Sequence, residues 1–191
     1  MKALFIGYHV DDNELGAGAT INKYCETHKV HYWALSDCGL EDECRASCER
    51  LGIKDYNITI GRYNNRSADR QHVLDWLMQG ERNFDVVFTH SSTDTHQMHQ
   101  ILHQEAFRAF KHTTIYGYNF PWNQREFKVN RFEKITANNL MAKSEALSCY
   151  KSQAQRPYMD HQFIDSWARV NGIMCGTSFA EGFEIINSVV N

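Results

Sequence analysis

Short apolar runs alternate with amphipathic, helix-like stretches along most of this chain. The run ALFIGY at 3–8 is continuous, and FDVVFTH at 84–90 is the clearest of the later runs. Continuous apolar runs are typical of strands that are buried on both faces of a parallel sheet. The alternation therefore predicts an α/β fold: a single-domain, Rossmann-like sheet, mostly parallel, with helices on both of its faces.

The predicted elements place one domain over residues 1–191. The chain has 2 prolines, and no low-complexity tract, internal repeat or linker interrupts the pattern. Gly52 is expected to end the second helix at its C-cap. We predict strands at 3–8, 30–36, 56–60, 84–90, 113–118 and 127–136, and helices at 13–28, 40–52, 68–79, 99–110, 138–151 and 158–170.

Composition and charge exclude several classes of protein. With a formal net charge of −3, the chain lacks the basic balance that general nucleic-acid binding needs. No apolar run approaches the roughly 20 residues of a membrane span. The apolar part of the N-terminal MKALFIGYHVDD is too short for a signal peptide, so a cytoplasmic location is expected.

The cysteines are not arranged as a disulfide framework. The chain has 6 of them and none forms a CxxC pair. Cys44 and Cys48 lie four residues apart, so they share one face of the predicted helix. Two interpretations stay open: half of a metal site, or small apolar packing, which the absence of a second pair favours.

Two glycines follow the first strand. Gly16 and Gly18, with Asp37 about 20 residues later, partly resemble a dinucleotide-binding fingerprint. The strand-to-helix turn at 9–13 has no glycine, however, and a phosphate bound there would meet two carboxylates. We therefore exclude a nucleotide cofactor and expect the glycines to let the helix approach the sheet closely.

Polar side chains cluster where two of the predicted strands end. His9, Asp11 and Asp12 follow the first strand, and HSSTDTHQMHQILH at 90–103 follows the strand at 84–90. Like charges as close as Asp11 and Asp12 repel, so a buried pair needs a cation or a proton. Because ligands bind at the carboxyl ends of parallel strands, we expect the two clusters to face each other across a crevice.

The two clusters offer a set of metal ligands. Two histidines and one carboxylate, with a position left for water, make a common catalytic zinc site, and such a metal lowers the pKa of its water toward about 7. His9, Asp12, His96 and His99 are the candidates. Spacing alone leaves three alternatives open. The Asp-Asp-Asn run could simply cap a helix, and the HxxH spacing of His96 and His99 could arise by chance. His103 could also be a metal ligand in place of one of these histidines.

Several motifs together resemble one known family. HVDDNELGAGAT is similar to an HPDDxE motif with Val10 in place of proline, and DTHQMH at 94–99 is similar to a DxHxDH element. Weaker similarities follow in family order: ECRASCERLG, YNFPWN, KSEALSCYKSQ and FAEGF. The ordered set resembles the PIG-L/LmbE-like deacetylases, zinc enzymes that remove acetyl groups from N-acetylated amino sugars.

The resemblance implies a role for each residue of the two motifs. His9, Asp12 and His99 would hold Zn²⁺, with Fe²⁺ as an alternative because both suit such ligands. Asp11 would be the general base that takes a proton from the metal-activated water. His96 would stabilise the oxyanion, as an imidazolium if it carries a second proton.

The resemblance implies hydrolysis of the N-acetyl group of an amino sugar or sugar conjugate. The expected partner is therefore a small molecule. The resemblance also implies a possible homo-oligomer. The alternative is a catalytically impaired family member that serves as a sugar-binding or assembly module. Intact His9, Asp11, Asp12 and His99 favour the enzyme.

The chain departs from the family pattern at a few positions. Met98 stands where members commonly carry an aspartate beside the zinc histidine, so either Asp94 substitutes as the partner of His96 or His96 is a weaker electrophile. Leu40 replaces an arginine and Asn119 replaces the glutamate of YExP. These last two changes point to an unusual substrate.

Aromatic and polar residues at and just after the end of the strand at 113–118 are candidates for substrate contact. Aromatic faces pack against sugar C–H surfaces, although such residues also fill cores. Arg156 and Arg169 could reach a phosphate or simply form surface salt bridges. The substrate-binding candidates are Tyr118, Asn119, Trp122 and Asn123.

Overall fold

A computed structural model describes residues 1–64 and 66–190. Within these ranges seven strands form one sheet in the order β3-β2-β1-β4-β5-β7-β6. The strands are β1 Lys2–His9, β2 Lys29–Ser36, β3 Ile58–Ile60, β4 Val86–His90, β5 Thr114–Tyr118, β6 Arg131–Ile135 and β7 Phe179–Asn187. The helices are α1 Asp12–Cys25, α2 Glu41–Leu51, α3 Arg70–Gln79, α4 Gln97–Phe110, α5 Ala137–Leu147 and α6 His161–Met174.

Strands β1 to β5 pair in parallel, as the apolar runs predict. Alternate residues of β1 point to opposite faces: Phe5 lies in a core cluster with residues of α1 and α2, whereas Leu4 lies in a second cluster with residues of α3 and α4. Gly52 ends α2 with φ 88°, in the left-handed region. The predicted mostly parallel sheet with helices on both faces is confirmed.

Strand β7 is not among the predicted elements. It lies between β5 and β6 and runs antiparallel to both. Its sequence, FAEGFEIIN, places Glu181 and Glu184 in the strand with both side chains buried. Two buried carboxylates interrupt the apolar pattern, so periodicity does not reveal the strand.

Helix α1 is kinked at Ala17, whose φ and ψ are −151° and 19°. The side chains of two distant residues satisfy the backbone groups near the kink. The ammonium of Lys143 donates to the Leu15 carbonyl at 2.8 Å, and a Glu181 carboxylate oxygen accepts from the Thr20 amide at 2.7 Å. The segments around Lys143 and Glu181 therefore shape the helix that carries the first polar cluster.

The predicted close approach of α1 to the sheet is confirmed at Gly16. A Cβ atom on Gly16 would overlap the ring of Tyr118 on β5. Gly18 faces α5 instead, where a Cβ would lie 2.8 Å from Cγ of Lys143. Among the described residues, no helix has the length and hydropathy to cross a membrane.

Candidate active site

The sheet topology brings the two polar clusters together at one edge. Strand β1 ends at His9, and α1 begins three residues later at Asp12. Strand β4 is the neighbour of β1, and α4, which follows β4, carries His99 in its first turn. The potential ligand atoms of His9, Asp12 and His99 consequently lie within 4.8 Å of one another.

The spacing of these three residues fits a divalent metal ion. His9 Nδ1 lies 3.3 Å from Asp12 Oδ2 and 3.4 Å from His99 Nε2, which in turn lies 3.4 Å from Asp12 Oδ1. Ligand atoms that surround zinc tetrahedrally at 2.0–2.1 Å are about 3.3 to 3.4 Å apart. Each histidine nitrogen therefore lies at about this spacing from the other and from one of the two Asp12 oxygens, and the donor set suits such an ion.

Electrostatics at these residues also favour a cation. Burial raises the pKa of Asp12, but the histidines around it, His99 foremost, hold it well below its ordinary value. Burial lowers the pKa of His99, yet the carboxylates of Asp12 and Asp94 raise it to about 10. The site thus stabilises positive charge beside Asp12, and a bound metal would supply that charge in place of the imidazole proton.

Asp94 fixes the orientation of His99. His99 Nδ1 donates to Asp94 Oδ2 at 2.8 Å, which leaves Nε2 to face His9 and Asp12. When the second ring nitrogen of a metal-binding histidine donates a hydrogen bond to a carboxylate, that bond fixes the tautomer of the imidazole and makes its other nitrogen a stronger ligand. Asp94 Oδ1 also accepts from the backbone amide of His96 at 2.8 Å, so this aspartate ties the two histidines of the HxxH together.

Of the two alternatives for His96, the one in which Asp94 is the partner of its ring is not supported, because Asp94 contacts the His99 ring and only the backbone of His96. His96 Nδ1 accepts from the Met98 amide at 3.3 Å, which places the ring proton on Nε2. Burial and the neighbouring His99 and His9 lower the pKa of His96, which disfavours an imidazolium at this position. Met98 itself points into the core, where it is 3% exposed.

Asp11 is buried beside Asp12 and lines the cavity described below. Burial and the Asp12 charge raise the pKa of Asp11 to about 6. Asp11 stands at the N-cap position of α1, but its side chain makes no capping hydrogen bond. Asp12 is not a cap either, because its Oδ2 accepts from the His9 amide at 2.7 Å. The helix-cap alternative for the two aspartates is therefore not supported.

A cavity of about 400 Å³ lies above the three clustered residues. Leu40, Trp122, Asn123, Arg156 and Tyr158 are among the residues that form its walls. Trp122 stacks with Phe120 at 5.0 Å and with Tyr158 at 4.4 Å, and the rings are within 17° of parallel. Two of the four substrate-binding candidates, Trp122 and Asn123, thus reach the cavity.

The other two candidates do not line this cavity. Tyr118 is fully buried, and its hydroxyl donates to Asn13 Oδ1 at 2.8 Å, so the expectation that it contacts substrate is wrong. Asn119 lines a smaller neighbouring cavity, and its buried Oδ1 has no hydrogen-bond partner among the described residues. Arg169 is exposed on α6, whereas the guanidinium of Arg156 donates to the Tyr158 hydroxyl at 2.6 Å.

His90 is a part of the site that motif spacing does not reveal. Its ring stacks on His99 at 3.7 Å, and its Nε2 accepts from the Tyr8 amide at 3.1 Å and lies 3.3 Å from Asp12 Oδ2. Burial and the His99 charge lower its pKa to about 4, so it is neutral. Its position as the last residue of a buried strand is the signal that could have found it.

The remaining candidate metal ligands from the sequence are His103 and the pair Cys44 and Cys48. His103 belongs to none of the ligand groups found among the described residues, and its Nδ1 donates to the His90 carbonyl at 2.9 Å, so the structure does not support it as a rival ligand. Cys44 and Cys48 lie near the carboxylate of Glu14. Glu14 accepts a hydrogen bond from Ser47 and lies within hydrogen-bond distance of two tyrosine hydroxyls. Both cysteines pack in the hydrophobic core, while their sulfur atoms and the Glu14 carboxylate are also close enough together for a metal ion, so the structure excludes neither interpretation.

Comparisons with known proteins add to this description. The PIG-L family model, described as GlcNAc-PI de-N-acetylase, matches residues 4–110, more than half of the chain. No curated protein gives a significant match.

Several solved structures have the same fold. A conserved protein from Thermus thermophilus has a TM-score of 0.83 at 19% identity, over 99% of this chain and 96% of that one. N,N′-diacetylchitobiose deacetylase from Pyrococcus horikoshii has a TM-score of 0.76 at 21% identity, over 97% and 83%. Teicoplanin deacetylase Orf2 has a TM-score of 0.77 at 14% identity, over 96% and 97%. At these identities the similarity establishes the fold.

Proposed function

Because the chain belongs to the PIG-L, or GlcNAc-PI de-N-acetylase, family, we propose that it is a metal-dependent N-deacetylase of an N-acetylated amino sugar or sugar conjugate. The observation that carries the proposal is the cluster of His9, Asp12 and His99 at the base of a cavity that Asp11 and His96 also line. Two solved proteins of the same fold are named as deacetylases of a chitobiose and of teicoplanin.

His9, Asp12 and His99 would hold the metal, zinc or ferrous iron, since two imidazoles and one carboxylate suit both. When bound, the ion would lower the pKa of a water molecule and polarise the acyl carbonyl. Asp94 and His90 support the ligands, because one holds the His99 ring by its Nδ1 and the other packs against its face.

Asp11 is the proposed general base. It takes a proton as the water oxygen attacks the acyl carbon, and returns a proton to the sugar nitrogen as the C–N bond breaks. Acetate and a free amine result. Its burial and its raised pKa suit a group that both accepts and releases a proton.

His96 is the proposed oxyanion donor. With Nδ1 occupied by the Met98 amide, its Nε2–H is the group that can donate to the developing negative charge. An Nε2–H donor is sufficient for this role, so Met98 in place of an aspartate does not remove it. This weakens the alternative of an impaired, sugar-binding family member, in which Met98 would be a sign of lost catalysis.

Acetate release tests the proposal. N-acetylglucosamine and N,N′-diacetylchitobiose serve as probes, and zinc-loaded wild type is compared with Asp11→Asn, which keeps the shape of the side chain and removes its basicity. We expect turnover by wild type and a loss of roughly 10²-fold or more in the variant, at equal metal content. Equal binding of the probes by both proteins, with turnover by neither, would instead support a binding module.

A further inference from the structure

We propose that Tyr32 and Tyr150 are positioning residues whose hydroxyls hold the carbonyl of Val10 and so fix the peptide that carries Asp11. The inference rests on the proposed role of Asp11 and goes beyond it, because neither tyrosine lines the cavity. Both act on the backbone between a proposed metal ligand, His9, and the proposed base.

The two hydroxyls converge on a single acceptor. Each donates to the Val10 carbonyl, one from β2 and the other from the segment that follows α5. The next carbonyl along the chain, that of Asp11, accepts a hydrogen bond from the Leu15 amide at 3.0 Å. Both carbonyls that flank the Asp11 backbone are therefore held by hydrogen-bond donors.

Glu14 holds the tyrosines in turn. Its Oε2 lies 2.9 Å from the Tyr32 hydroxyl and its Oε1 lies 2.8 Å from the Tyr150 hydroxyl. Ser47 of α2 donates to the same carboxyl group at 2.7 Å. Each hydroxyl oxygen thus contacts both the Val10 carbonyl and the Glu14 carboxyl group, and these two contacts fix its position.

The four residues of this hydrogen-bond network are buried. Tyr32, Tyr150, Glu14 and Ser47 are all essentially inaccessible to solvent, so no water competes for their hydrogen bonds. Phenylalanine would fill the same core volume without the cost of burying hydroxyl groups. We therefore infer that the two hydroxyls are present because they contact the peptide group between Val10 and Asp11.

A peptide group is planar, so the direction of the Val10 carbonyl determines the direction of the Asp11 amide and Cα. The carboxylate of a general base must be held close to its productive position, and a displacement of about 1 Å can lower the rate by roughly 10²-fold. Loss of one hydroxyl lets this peptide rotate while the ligands His9, Asp12 and His99 keep their own side-chain contacts.

Kinetics provide the first test. Tyr32→Phe, Tyr150→Phe and the double variant are compared with Tyr24→Phe, a matched control that loses a hydroxyl bonded to Glu133 at 3.2 Å rather than to Val10. We expect kcat to fall about 10-fold in each single variant and further in the double variant, with KM and metal content unchanged. A fall in kcat no larger than that of Tyr24→Phe would overturn the proposal.

A nuclear magnetic resonance measurement tests the contact without using activity. Val–Asp occurs once in the sequence, at Val10–Asp11. Cell-free synthesis with ¹³C′-valine and ¹⁵N-aspartate therefore gives one carbonyl–amide cross-peak, which reports on this peptide alone. We expect that peak to move in Tyr32→Phe and Tyr150→Phe and to stay in place in Tyr24→Phe.

An unmoved cross-peak in both variants would also overturn the proposal. Failure of the proposed function is a separate result: wild type would release no acetate from any probe, whereas the cross-peak would still decide whether the tyrosines hold Val10.

Discussion

Replacing Asp94 with asparagine changes one atom of the carboxylate that orients His99. Asp94 Oδ1 accepts from the His96 amide, and that contact can survive in the variant. The other position, 2.8 Å from His99 Nδ1, then becomes an amide nitrogen, which donates where the carboxylate accepted. The imidazole is expected to move its proton to Nε2, the nitrogen that faces His9 and Asp12, and to lose its lone pair toward the metal.

Loss of such a carboxylate partner typically lowers metal affinity 10- to 100-fold, which corresponds to about 1.4 to 2.7 kcal/mol. We expect a shift of this size for Asp94→Asn when the protein is titrated with Zn²⁺ against a competing chelator. Asp165→Asn, at an exposed position on α6, is the matched control and should not change the affinity. A folded Asp94→Asn protein with unaltered zinc affinity would refute the assignment of Asp94 as the orienting group.

Three further substitutions test other parts of the account. His96→Gln should lower kcat roughly 10²- to 10³-fold with the metal content retained, as expected for an oxyanion donor, and steady-state kinetics with metal analysis would detect it. Gly16→Ala forces a Cβ against the Tyr118 ring and should destabilise the fold by about 1 to 3 kcal/mol in urea unfolding. Lys143→Met removes the cation 2.7 Å from buried Glu181 and should cost about 3 kcal/mol in the same assay.

The sequence predicts the parts of the fold that follow from topology. Parallel strands end at one edge of a sheet, so the placement of His9 and His99 at the same edge follows once β1 and β4 are recognised as buried strands. Their close approach depends in addition on the strand order, in which β4 is the neighbour of β1. Strand β7 escapes prediction because Glu181 and Glu184 are buried by tertiary hydrogen bonds that no local pattern reveals.

Side-chain roles at the site depend on contacts that spacing does not determine. Asp94 lies two residues before His96 and five before His99, and nothing in that spacing favours the second as its partner. Tyr118 ends β5 and Trp122 follows four residues later, yet the first points into the core and the second lines the cavity. Rotamer and packing decide such cases, and both are set by the whole fold.

Metal content per chain is the most direct test of the account. Wild type and Asp12→Ala are purified side by side without chelators and examined by elemental analysis, with circular dichroism to establish that both are folded. We expect about one zinc or iron ion per wild-type chain and its loss in the variant, because Asp12 supplies the carboxylate between the two histidines. Absence of metal from folded wild type, even after zinc is added back, would contradict the proposed metal-dependent deacetylase.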